Sequence, residues 1–299
     1  MDMYGRHTGD GQEPLYESLM NDVLFHMVFT ENSLALRGLI SSLLDIPESE
    51  IEEITVLNPM QYTDAFDAKL TVLDLRVHLN RDRYLNIEMQ VRRFPNWTNR
   101  SIVYSCRQIV DQSNAEGFEY GQLEPVIHIA IMDHTLFSDH RRFFTRYAIQ
   151  DREGYPYSDK LQFYVMDLTA VSGASDQEAR QGLVEWADAF TAKGWEQVQS
   201  IDNPAVKEAV KQMRVIMSTP EQRDAVWARR MAEIDYRSIM SHERKEGRAE
   251  GRAEGRAEGR AEGRNEERAD IARRLKDLGI PIQDIAQVTG LSEGDILSL

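Results

Sequence analysis

The sequence predicts an α/β fold in which helices flank a mixed β-sheet and a helical tail follows. Three observations predict it. Apolar residues recur at helical spacing from Glu17 to Leu44 and again after Ser175. The stretch "LDLRVHLNRDRYLNIEMQ", Leu73 to Gln90, alternates apolar and polar residues on either side of a charged turn, as a hairpin does. Two further runs, "PVIHIAIM" and "LQFYVMDL", are short, branched or aromatic, and bounded by polar segments, as buried strands are.

Taken in order, the first dozen or so residues, with Gly5, Gly9 and Gly11, predict a disordered start over 1–14. Leu19, Val23, Met27 and Phe29 then give one helix, and Ser33 to Leu44 a second. After the hairpin, "NWTNRSIVYSCRQIVDQ" predicts a helix capped by Thr98, with Ile102, Cys106 and Ile109 or Val110 as its apolar stripe. A principal domain over 15–240 follows from this order. From Glu246 the chain repeats "EGRA", so 241–268 reads as a repeat helix or linker. Each glycine there costs a helix about 1 kcal/mol relative to alanine. Like charges fall four residues apart, so the segment gains little from its own side chains and more from a partner copy. Breaks at Gly279–Pro281 and Thr289–Ser292 leave a small helical hairpin over 269–299.

Composition narrows the function classes. With 299 residues, 41% of them hydrophobic, the chain can bury a sizeable core. No apolar run approaches the roughly 20 residues that span a bilayer, and the N-terminus lacks the apolar core of a signal peptide, so we expect a cytoplasmic protein without membrane contact. The single cysteine, Cys106, excludes an internal disulfide and reads as a small core residue. A net charge of -15 argues against coating nucleic acid non-specifically. Between Arg76 and Arg107, however, seven arginines face two acids, a basic island in an acidic chain. The terminal hairpin has the outline of a helix-turn-helix, but Asp277 to Leu299 holds four acids and no Lys or Arg, so it lacks phosphate anchors.

The hairpin carries the chemistry. Strand alternation puts Asp74, Arg76 and His78 on one face and sets Tyr84, Asn86, Glu88 and Gln90 together on the second strand. A three-residue loop allows two registers, with Asp74 opposite Glu88 or opposite Gln90. In either, two carboxylates and an amide cluster on one face. Paired carboxylates repel unless a cation lies between them, and Mg²⁺ accepts such oxygen ligands while keeping water or phosphate oxygens. A solvated strand face accounts for the same residues, so the spacing alone leaves both readings open.

"LDL", then "IEMQ" after a strand turn, then a helix with Arg100 and Tyr104, resembles the PD-(D/E)XK nuclease superfamily. More narrowly, the order of "NDVLFHMVF", the hairpin, "EPVIHIAI", the "EGRAEG" repeats and "IAQVTGLSEGDI" resembles the Rpn group of recombination-promoting nucleases and transposase-like proteins. The resemblance implies a restriction-endonuclease-like core that hydrolyses DNA phosphodiesters with Mg²⁺, or another divalent cation such as Mn²⁺ or Ca²⁺. It makes Asp74 and Glu88 catalytic metal ligands, adds Asp22 as a third acid, and puts Gln90 where the motif usually has lysine. Leu73 replaces the motif's proline. Arg92, Arg93, Arg100 and Tyr104 become DNA contacts, and DNA and further copies of the chain, joined by the repeat tail, become its partners. Gln90 can hydrogen-bond but carries no charge, which keeps open a different class: a catalytically weak or inactive nuclease-fold protein acting as an oligomeric binding module.

Overall fold

The computed structural model describes residues 14–57, 60–61, 71–72, 75–94 and 96–299. The expected disordered start, apart from its last residue, lies outside them, as does Asp74. The chain forms two compact units, Met1–Arg230 and Met231–Leu299.

The first unit opens with α1 (Asp22–Glu31) and α2 (Ser33–Leu44), each started by an asparagine side chain that accepts from first-turn amides. Then come β1 (Ile54–Leu57), the short pair β2 (Met60–Gln61) and β3 (Thr71–Val72), β4 (Leu75–Leu79), β5 (Arg83–Gln90) and α3 (Trp97–Ser113). Three strands follow: β6 (Val126–Met132), β7 (Phe144–Gln150) and β8 (Pro156–Asp167). The helices α4 (Asp176–Arg180), α5 (Leu183–Thr191), α6 (Trp195–Gln199) and α7 (Pro204–Ser218) lead into α8 (Pro220–Asp277), which runs through the repeat.

Six strands make one mixed sheet in the order β1-β4-β5-β6-β8-β7. The hairpin β4–β5 is antiparallel, β5–β6 and β6–β8 are parallel, and β7 closes the edge antiparallel to β8. Leu75 pairs with Ile87 and Arg76 with Asn86, which is the first of the two predicted registers over the described part of β4. The turn is held at Asn80 and Arg81, both at positive φ. Asn80 fixes it by accepting from the Glu52 and Glu53 amides at 2.8 and 3.1 Å and donating to the Glu50 carbonyl at 2.7 Å.

Period-two alternation gives the sheet two different faces. Leu75, Val77, Leu85, Ile87, Ile129 and Met166 point into the main core with α1, α2, α5 and α7, where Phe25, Phe29, Trp186 and Phe190 are fully buried. Alternate residues face α3. There the apolar packing shrinks to Trp97, Ala130, Met132 and Val165, and the rest of the layer is polar.

Two expectations for α3 are corrected. The helix starts at Asn96, in the left-handed region at φ 64°, and Thr98 lies inside its first turn. Its buried positions are Trp97, Ser101, Ser105 and Gln108, while Ile102, Val103 and Val110 are exposed. Cys106 is likewise exposed, so it is not a core residue. The reason is the surface beneath: a sheet face carrying Asn86, Glu88 and His128 accepts small or polar side chains, and the apolar stripe turns outward.

Beyond Met231, the end of α8 packs with α9 (Ile282–Thr289) and α10 (Glu293–Ser298) around Ala272, Ile285 and Ile296. Gly279 and Gly290 make the turns at φ 77° and 73°. Lys276 Nζ donates to the Ile296 and Leu297 carbonyls at 3.1 Å each, where a cation meets the negative end of a helix.

Candidate active site

Glu88 lies near the end of β5, beneath α3, and is only 3% exposed. Burial of this depth disposes of the solvated-face reading for Glu88 itself. A buried carboxylate needs partners, and those within reach come from two elements. His128 Nε2 of β6 stands 3.7 Å from Glu88 Oε2, and the Arg100 guanidinium of α3 stands 3.9 Å from Oε1. Both distances exceed a hydrogen bond, so their hold is electrostatic. Burial pushes the Glu88 carboxyl up, but His128, Arg100 and the Trp97 indole together outweigh it and leave it below the usual range. It is therefore an ionised carboxylate, and its Oε1 has no hydrogen-bond partner among the described residues.

The layer around it is similarly underused. Asn86 and His128 are fully buried, Gln108 is 1% exposed, and among the described residues the side-chain nitrogens and oxygens of all three lack hydrogen-bond partners. Parallel pairing sets Asn86 beside His128, and the His128 ring meets Trp97 edge-on at 5.7 Å. Unpartnered buried polar atoms cost about 1–3 kcal/mol each, so this layer adds less to stability than the apolar face of the sheet.

Gln90 follows on the same face of β5 and is 8% exposed. On α3, Arg100 packs against Tyr104 at 4.9 Å from its ring centre and against Phe94 at 5.5 Å. The structure thus brings Glu88, Arg100 and Tyr104 together. Arg92 is half-buried and Arg93 exposed just after β5. Asp22, in the first turn of α1, is bound to the Arg229 guanidinium. Its Oδ1 accepts from Arg229 Nε at 2.6 Å and from the Val23 amide at 2.9 Å. Gln112 clamps the Glu124 backbone, accepting from its amide at 2.9 Å and donating to its carbonyl at 3.2 Å.

Part of the basic island is neutralised nearby: Arg81 pairs with Glu53 and Arg83 with Asp82, each at 2.8 Å. Sequence reasoning missed His128 and Gln108, and set Asn86 on the Glu88 face without giving it a role. The one available signal was a histidine interrupting the otherwise apolar "VIHIAIM".

Among the described residues, no group of three or more His, Cys, Asp or Glu is placed to hold a metal ion. Glu88 does suit a divalent cation, being an ionised, buried carboxylate with one oxygen that has no hydrogen-bond partner among the described residues. Asp74, the other proposed donor, precedes Leu75 in the sequence and lies outside the described residues.

A mixed sheet with its antiparallel hairpin at one side, flanked by helices and bearing a buried acid near a strand end, defines the restriction-endonuclease-like class of α/β fold. Within that class the chain belongs to the PD-(D/E)XK nuclease family transposases, whose family model matches residues 19–243. No curated protein and no solved structure matches the chain. Its role is accordingly nuclease- or transposase-related. No helix among the described residues is long and apolar enough to cross a membrane.

Proposed function

We propose that the protein is a metal-dependent DNA endonuclease of low sequence specificity, working in the cytoplasm on recombining or mobile DNA. The observation that carries this reading is Glu88: buried, held below the usual carboxylate range, and with an oxygen that has no hydrogen-bond partner among the described residues. Retaining such a group without a ligand would be costly.

Asp74 and Glu88 would hold Mg²⁺, Mn²⁺ or Ca²⁺. Asp74 lies outside the described residues, and its part in this reading rests on the strand alternation of the sequence and on the family resemblance. The bound ion would supply a water nucleophile and stabilise charge on the phosphoryl oxygens. Gln90 would orient that water by hydrogen bonding, without the charge of a lysine. Arg100 and Tyr104, beside Glu88, would contact the scissile strand, and Arg92 and Arg93 its backbone. Asp22 is the weakest member of the proposed donor set, because Arg229 already takes its carboxylate. Backbone contacts position DNA without reading bases, which is why we propose low specificity.

The test is cleavage of plasmid DNA by the full chain with Glu88→Ala and Asp74→Ala beside it. Loss of metal-dependent cleavage by at least about 100-fold in each supports the reading, as expected when a preorganised charge-stabilising group goes. Unchanged cleavage in either variant rejects its residue.

A further inference from the structure

A cleft of about 580 Å³ opens on the Glu88 face of the sheet, at the far end of the hairpin from Gln90. Arg76, His78 and Tyr84 line it from β4 and β5, Gln108 and Asp111 from α3, and Glu124 from the loop before β6. This is a built site. The His78 and Tyr84 rings lie parallel, 4.3 Å apart and within 5°, forming an aromatic platform. Glu124 Oε2 meets His78 Nε2 at 2.6 Å, and the Gln112 clamp on the Glu124 backbone pins the loop that carries it.

The chemistry of the lining selects a ligand class. Asp111 and Glu124 bring two carboxylates, the second already paired with His78, and Arg76 one guanidinium. That balance disfavours a phosphate inside the cleft but suits a flat neutral ring that donates N–H. Gln108 is 1% exposed, and neither its amide nitrogen nor its oxygen has a hydrogen-bond partner among the described residues, so the wall carries a spare donor–acceptor pair. A base with an exocyclic amine meets each of these: its face stacks on an aromatic platform, its amine donates to the Asp111 carboxylate, and its edge matches an amide. Adenine, cytosine and guanine qualify; thymine lacks the amine.

We propose that this cleft receives one unpaired, amino-bearing nucleobase. The proposal rests on the nuclease reading in one respect, that the base belongs to a DNA strand continuing towards Glu88. Tyr84 and Glu88 are four residues apart on β5, about 13 Å at strand rise, a gap that a short stretch of single strand spans. The protein then favours DNA with an unstacked base next to the cut, because extruding a base from an intact duplex costs a few kcal/mol.

The experiment measures binding in EDTA with full-length Glu88→Gln protein, apart from cleavage. The probe is 2-aminopurine, a fluorescent amino-bearing base, in three settings: within a single-stranded oligonucleotide, within its fully paired duplex, and as the free deoxynucleoside monophosphate. We expect the single strand to change 2-aminopurine emission on binding. Gln108→Met and Tyr84→Leu, each made in that background, should weaken single-strand binding at least tenfold and leave duplex binding within twofold. Gln108→Met keeps the side-chain shape and removes an unpartnered amide, so it should fold normally, and unchanged circular dichroism verifies this.

Tighter binding of the strand than of the monophosphate identifies the strand as the source of the base. Equal binding with the same loss in both variants keeps the base site but overturns the strand assignment. Emission that does not respond, or affinities that both variants leave unchanged, overturns the base site itself. Failure of the nuclease reading shows separately, as absent cleavage by the unmodified chain with base binding intact.

Discussion

Tyr16 illustrates how a single residue ties burial to pH. Its hydroxyl donates to the Ala192 carbonyl at 2.9 Å, and its ring meets Trp195 edge-on. Burial, reinforced by the charge of Glu17, pushes its pKa up to about 12. An unfolded tyrosine gives up its proton near pH 10. Between those values the folded chain therefore holds more protons than the unfolded one, so this contribution to stability is complete below about pH 10 and disappears by about pH 12. Thermal unfolding across that range should show Tyr16→Phe losing stability less steeply than the parent. An identical slope would contradict the assignment. At this scale the sequence was informative about Glu88 and Gln90, whose strand alternation placed them on one face. It said little about Asn86, Gln108 or His128, because their significance lies in lacking partners, and partners belong to the packed structure. Asp22 carried no local sign that Arg229, 207 residues away, would claim it.

The elements follow the same division. Strands whose faces are both buried, such as β6, announce themselves as continuous apolar runs. The edge strand β7 is mostly exposed and passes unnoticed, since its residues need not alternate. Helix α3 was found, but its orientation was inverted, because periodicity predicts an apolar side facing inward and cannot see that the sheet beneath is polar. The inversion is testable. Ser105→Leu should cost about 1–3 kcal/mol by crowding the buried layer, whereas Val103→Lys should stay within about 0.5 kcal/mol. Urea unfolding of both variants decides it, and the opposite ranking would mean that α3 packs by its apolar stripe. Close approach sets the α2–α7 crossing in a similar way. A Cβ at Gly38 would collide with that of Ala205, so Gly38→Ala should destabilise by about 1–3 kcal/mol in the same assay. A loss of only a few tenths would show that the helices can separate without penalty.

For the whole molecule, charge and assembly decide behaviour. A chain of net charge -15 can hold DNA only through local cations. Arg92, Arg93 and Arg100 are the proposed ones. Binding should therefore weaken steeply with salt, falling about 10-fold or more between 50 and 200 mM if several phosphates are neutralised. Fluorescence anisotropy with a duplex oligonucleotide measures this, and a flat response would remove those arginines from the interface. The repeat tail was legible as a unit because of its period. Its helical state was not, since isolated propensity argues against a glycine every four residues while α8 runs through all of them. We propose that further copies of the chain pack along this tail. Among the described glycines of the repeat, Gly255, Gly259 and Gly263 have open space where a Cβ would stand. Light scattering should give a multiple of the 34.4 kDa chain mass, reduced by Gly→Glu changes at these three positions.

The central claim is that the buried carboxylate of Glu88 is kept for a metal ion and a phosphodiester. Nicking of supercoiled plasmid by the purified chain, in Mg²⁺, Mn²⁺ or Ca²⁺ and with an EDTA control, tests it most directly. The account predicts nicking that needs a divalent ion and is lost in both Glu88→Ala and Asp74→Ala. Nicking that survives both substitutions, or a folded, DNA-binding chain that never nicks, would contradict it and favour a nuclease fold retained for binding and assembly.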